Sequence, residues 1–99
     1  MSQESFDYHV LKMGPFDSRW YVDNYADISQ TSVDPIEHYL KFGANEGRDP
    51  NAFFITRQYL LENPDVQQSG INALVHYCLY GASEGRNGFH RLNPSKDLG

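Results

Sequence analysis

Two histidines, two glutamates and two arginines stand in one repeated spacing: His38, Glu46 and Arg48, then His76, Glu84 and Arg86. A histidine can exchange a proton near neutral pH, a carboxylate can assist it, and a guanidinium can hold an anion through two parallel hydrogen bonds. As chemistry, the set would suit a small hydrolase, metal-independent or metal-assisted, or the capture of an acidic ligand. As structure it has a simpler use, because Arg48 and Arg86 are free to pair with Glu46 and Glu84, or with Asp27 and Asp65, and such pairs fix connections between elements. The duplication favours the structural use: a packing role must be filled in every unit, whereas an active site is built once. No nucleophile elbow or phosphate-cradling glycine loop accompanies the set, so no catalytic residue is assigned and the chain is not read as an enzyme.

Metal chemistry has less to work with. His9, His38, His76 and His90 are isolated from one another and lack the paired-cysteine or H-E-x-x-H spacing that zinc requires. Asp17, Asp23, Asp27 and Asp34 are too widely spaced for a calcium loop, and no metal or cofactor is expected. The lone Cys78 aligns with Leu40 of the other copy, which suits a small buried apolar residue rather than a reactive thiol.

The elements that must position these residues come from an internal duplication. The stretch 16–52 is written again as 54–90, with Tyr21 and Tyr59, His38 and His76, Gly43 and Gly81, and Arg48 and Arg86 each 38 positions apart. A period of this size marks a supersecondary unit that buries its apolar face against a neighbour. The expected fold is therefore all-α: two stacked helix-pair repeats, residues 16–53 and 54–91, forming one domain over residues 1–99. Upstream, His9 to Gly14 echoes His38 to Gly43, so residues 5–15 are read as a degenerate half-repeat forming a short N-terminal capping helix. Residues 92–99 are read as a tail, frayed from Asn93 to Gly99.

Within each copy two helices are expected. Asp17 can cap the first, and its counterpart starts near Thr56 and stops before Pro64; Ala26-Asp27-Ile28 and Pro64-Asp65-Val66 then form a turn or one helical turn. The second helix starts at Asp34-Pro35 and at Asn72-Ala73. Its apolar stripe is Ile36, Tyr39, Leu40 and Gly43, matched by Leu74, Tyr77, Cys78 and Gly81. Gly43 and Gly81, on that stripe, are read as points of close approach by another helix, with the helix ends placed at Gly47 and Gly85 beside Glu46 and Glu84. His38 and His76 fall on the opposite side with Phe42 and Tyr80 one turn further on, which gives the helix a second contact face. That face either packs, each histidine donating to a carbonyl, or docks a sugar or protein. The candidate binding residues are thus His38, Phe42, Arg48, His76, Tyr80 and Arg86.

The run Phe16-Asp17, Trp20-Tyr21, Asp34-Pro35, His38-Tyr39, Gly43 and Glu46-Gly47-Arg48-Asp49-Pro50, with Asn63-Pro64-Asp65-Val66, His76-Tyr77 and Glu84-Gly85-Arg86 in the second copy, resembles a bacterial tandem repeat. Similar repeats accompany glycosyltransferase domains, including rhamnan synthesis F type polysaccharide proteins, and occur in large surface or secreted proteins. The resemblance covers about Phe16 to Arg86 and implies a non-catalytic binding or assembly module associated with bacterial cell-surface polysaccharide biosynthesis. The second copy departs from the pattern at Phe54-Ile55, Ala73 and Asn87-Gly88. A second reading is a small stand-alone protein that binds and regulates another macromolecule.

The net charge of −5, with the basic residues scattered, speaks against nucleic acid and leaves a protein or glycan as the expected partner. No stretch approaches the roughly 20 apolar residues of a membrane span. No signal peptide is visible, which makes cytoplasmic the default location.

Overall fold

The computed structural model describes residues 2–88, which form helices joined by turns; no strand occurs among the described residues. Helix α1 (Gln3–Met13) precedes α2 (Ser18–Asn24), α3 (Ala26–Ser29) and α4 (Pro35–His38) in the first copy, and α5 (Thr56–Glu62), α6 (Pro64–Ser69) and α7 (Ala73–His76) in the second. Both α4 and α7 run on into a π-helical turn, Tyr39–Gly43 and Tyr77–Gly81. The same order of elements in both copies is consistent with a helical repeat. Residues 89–91 at the expected end of the second copy, which include His90, and the tail over 92–99 lie outside the described residues.

The helix starts follow from side-chain oxygens placed where the first N–H groups lack partners. Asp17 accepts from Trp20 N, Asp34 from Ile36 and Glu37 N, and Asn72 from Leu74 and Val75 N. Helix α5 begins at Thr56 as expected, but its N-cap position is Ile55, which has no side-chain acceptor. Asp49, buried in the linker, supplies the missing oxygen and accepts from Thr56 N at 3.0 Å.

The second helix of each copy ends as a Schellman motif. Arg48 N–H donates to Gly43 O (2.8 Å) and Gly47 N–H to Ala44 O (3.0 Å), and Arg86 and Gly85 repeat the pattern onto Gly81 and Ala82. The residue that closes such a motif takes the left-handed conformation, and Gly47 (φ +80°) and Gly85 (φ +77°) do so.

One core holds Tyr21, Tyr39 and Tyr59 together with Leu11, Phe54, Val66 and Leu74, all buried. Helix α1 packs against both α4 and α7, so the N-terminal cap covers both copies at once. The stripe forecast for the second helix is buried at Ile36, Tyr39 and Gly43, and at Leu74 and Gly81, with Tyr77 and Cys78 partly buried. Ala73 and Val75, off that stripe, are buried as well. The reason is enclosure: α1, α5 and α6 all pack on α7, whereas α4 is held mainly by α1 and α2.

What approaches Gly43 and Gly81 is not a helix backbone but a tyrosine hydroxyl. A Cβ at Gly43 would overlap the Tyr21 oxygen, and one at Gly81 the Tyr59 oxygen. Substituting Gly43→Ala should therefore destabilise the fold by about 1–3 kcal/mol through overpacking. The Tyr21→Phe background, which removes the obstructing oxygen, should recover part of that loss. Urea midpoints for the two single variants and the double variant test this; simple additivity would contradict the contact.

Candidate functional site

Tyr21 and Tyr59 are fully buried, and a buried hydroxyl needs a partner. The partner is a histidine: Tyr21 Oη lies 2.8 Å from His38 Nδ1, and Tyr59 Oη 2.9 Å from His76 Nδ1. The expectation that each histidine donates to a carbonyl is thus replaced by a side-chain pair across the two helices of one copy. Beside each imidazole lies the aromatic one turn on, with ring centroids 5.7 Å apart for His38 and Phe42 and 5.5 Å for His76 and Tyr80. Phe42 is 56% exposed and Tyr80 50%, so each copy presents an aromatic ring to solvent against a half-buried histidine.

Arg48 and Arg86 are occupied elsewhere. Arg48 grips Asp27 with two parallel bonds, Nη1–Oδ1 3.0 Å and Nη2–Oδ2 2.8 Å, while its Nε meets Glu46 at 3.0 Å. Arg86 repeats this with Asp65 (3.1 and 3.0 Å) and Glu84 (2.8 Å). The copies differ beneath the guanidinium. Arg48 lies over the Tyr25 ring, 4.7 Å from its centroid, whereas Arg86 donates to Asn63 Oδ1, the side chain at the matching position. Of the six candidate residues, the structure brings His38 to Phe42 and His76 to Tyr80, and it commits both arginines to carboxylates within their own copy.

Charge follows from these contacts. The Arg48 guanidinium holds the Asp27 carboxyl below its ordinary range, and Arg86 does the same for Asp65. Burial, reinforced by Arg86, lowers the His76 pKa, so the fold favours the neutral imidazole. Burial pushes Tyr59 up to about 12, and raises Tyr21 and Tyr39 further. Cys78 packs against the core and burial raises its thiol pKa, which favours the protonated thiol. No group of three or more potential metal ligands occurs among the described residues, and no helix among them is long and apolar enough to cross a membrane.

A cleft of about 620 Å³ is lined by none of the six candidates. It opens between α1, the α4 helix and α6–α7, over a floor of Leu40, Leu60, Val66 and Ile71. A smaller cleft of about 190 Å³ shares Ala44, Asn45, Leu60 and Gln67 with it and adds Arg57 and Leu61. Sequence reading missed this groove because its walls belong to different copies, and no pattern within one copy reveals it. A trace was present in Leu60 and Leu61, adjacent apolar residues only one of which a single packing face can cover; Leu61 is 71% exposed.

No protein-family model, curated protein or solved structure matches the chain.

The two kinds of shift set two pH limbs. His76, depressed in the fold, contributes stability that is complete above its ordinary value of 6.5 and lost as pH falls through the folded value. Urea midpoints should therefore fall between about pH 7 and about pH 5, and this limb should be shallower in His76→Gln. Tyr59, raised in the fold, contributes stability present below about pH 10 and lost as pH rises towards about 12, a limb that Tyr59→Phe should reduce.

Proposed function

We propose that the chain is a non-catalytic binding or assembly module of bacterial cell-surface polysaccharide biosynthesis, docking glycan on its two equivalent aromatic faces. The observation that carries this reading is the repetition of an exposed ring beside a half-buried histidine. The ring is Phe42 in one copy and Tyr80 in the other, so the chemical identity differs while the exposed aromatic surface is kept. A flat apolar face is what stacks on a sugar ring. A neighbouring imidazole nitrogen, or the hydroxyl of Tyr80, is available to fix the hydroxyls of a stacked sugar.

The non-catalytic part of the proposal rests on where the acid and base groups go. His38 and His76 are held by tyrosines, and Glu46 and Glu84 are paired to Arg48 and Arg86. A hydrolase would need the carboxylate and the imidazole turned towards one pocket. The polysaccharide setting is supported by the motif resemblance over about Phe16 to Arg86.

A glycan array followed by titration of the best oligosaccharide should find binding that weakens about three- to tenfold for Phe42→Ala and again for Tyr80→Ala. Both rings are half-exposed, so the fold of the variants, followed by circular dichroism, should be kept. Binding that survives loss of both rings would exclude the aromatic faces. An empty array with a protein captured through the same two rings would move the partner from sugar to protein.

A further inference from the structure

The groove between the copies has a chemistry of its own. Its floor is aliphatic, formed by Leu40, Leu60, Val66 and Ile71, with no exposed aromatic platform; Tyr8 on the wall is only partly exposed and donates its hydroxyl to Asp34 at 2.7 Å. Sugars are poorly served by such a surface, whereas aliphatic side chains of a peptide fit it. Charge is divided along the groove. Glu4 and Asp7 line only the larger part, beside the Glu37–Lys41 ion pair (3.5 Å), and Arg57 lines only the smaller part. Glu4 and Arg57 have no hydrogen-bond or ion-pair partner among the described residues, and Asp7 accepts one bond, from the Gln3 amide. The Arg57 guanidinium lies against the backbone of Gly47, close enough that a Cβ there would come within 2.6 Å of it. Between the charged ends, Asn45 and Gln67 belong to both parts and supply amide donors and acceptors of the kind a peptide backbone uses.

We propose that this groove is a docking site for a peptide segment of a partner protein, in which aliphatic side chains are flanked by a basic residue at one end and an acidic residue at the other. The basic end lies against Glu4 and Asp7, the aliphatic side chains fill the floor over Leu60 and Ile71, and the acidic end meets Arg57. Each charge on the protein then gains an ion-pair partner that the described residues do not give it, and complementarity at both ends sets the direction of the bound segment. The site is separate from the aromatic faces, since Phe42 and Tyr80 line neither part of the groove.

The probe is a short fluorescein-labelled peptide with lysines at one end, leucines in the centre and aspartates at the other, titrated by fluorescence polarisation onto the full chain. Saturable binding is expected, together with amide chemical-shift changes at Ala44, Leu60 and Ile71. Arg57→Glu and Asp7→Lys alter exposed or rim positions and should each weaken binding about three- to tenfold, more at low salt than at high. A peptide whose aspartates are replaced by lysines should bind Arg57→Glu better than wild type, a rescue that a change in folding alone could not produce. Phe42→Ala should leave peptide binding unchanged, which keeps this result apart from the fate of the glycan reading. The proposal is overturned if no binding occurs, if a glycine-centred peptide binds equally well, if the shifts map away from the groove, or if a neutral oligosaccharide displaces the peptide and moves the same amides.

Discussion

A tyrosine hydroxyl carried into the core is the constraint on which each copy is built. Tyr21 and Tyr59 bring most of a large ring into the apolar interior, but the oxygen at its tip loses water and must find both space and a partner there. Glycine provides the space and histidine the partner. Both come from the second helix, where His38 and Gly43 are five residues apart, as are His76 and Gly81. On a regular α-helix, positions five apart are rotated by roughly 140° from each other and cannot meet one atom. A π-helical turn, closed by bonds between residues five apart, reduces that rotation and turns the two positions towards one side. The Ala44 N–H reaches back to Tyr39 O and the Ala82 N–H to Tyr77 O, both at 2.9 Å, so the widened turn falls where the tyrosine needs it.

The rest of the copy follows from that turn. Past it the chain closes at Gly47 or Gly85 and delivers the next residue, an arginine, across to the α3 or α6 carboxylate. Exposed ion pairs contribute little on average. The arrangement here differs in that each guanidinium makes a two-bond fork to one carboxylate and a third contact to another, with the arginine side chains only 20% and 25% exposed. Such a fork fixes direction as well as distance. It ties the end of the second helix to the connection that follows the first, leaving little freedom in the angle between them.

How much of this could be read from the residues depended on whether the responsible interaction was local. The starts at Asp17, Asp34 and Asn72, and the ends at Gly47 and Gly85, are written within a few positions, and the pairing of each arginine follows from its charge and its repetition. The π-helical turns were not legible, because glycine on an apolar stripe signals close approach without saying what approaches. The histidine's partner was missed for the same reason: seventeen residues separate Tyr21 from His38. Val75 was judged by a stripe that its counterpart helix obeys, while its burial depends on the enclosure of α7 by α1, α5 and α6. The groove belongs wholly to this non-local class, since it exists only where α1 and the two copies meet.

The junction between the copies shows why the differences between them carry information. Leaving the first copy, Asp49 takes its backbone N–H to the Tyr25 hydroxyl and gives its carboxylate to Thr56 N, and Asn51 caps Phe53 and Phe54 while donating to Pro15 O. The Thr56 hydroxyl has one hydrogen and spends it on Arg48 O, so Tyr39 must be the donor in the 2.7 Å bond between Tyr39 and Thr56. These contacts tie the end of the first copy to the start of the second at Phe54 and Thr56. At the matching exit of the second copy stand Asn87 and Gly88, and a Cβ at Gly88 would come within 2.6–2.9 Å of the Tyr77 ring. Among the described residues, the paired aromatic rings of Phe42 and Tyr80 and the groove between the copies are surfaces that neither copy uses for the other.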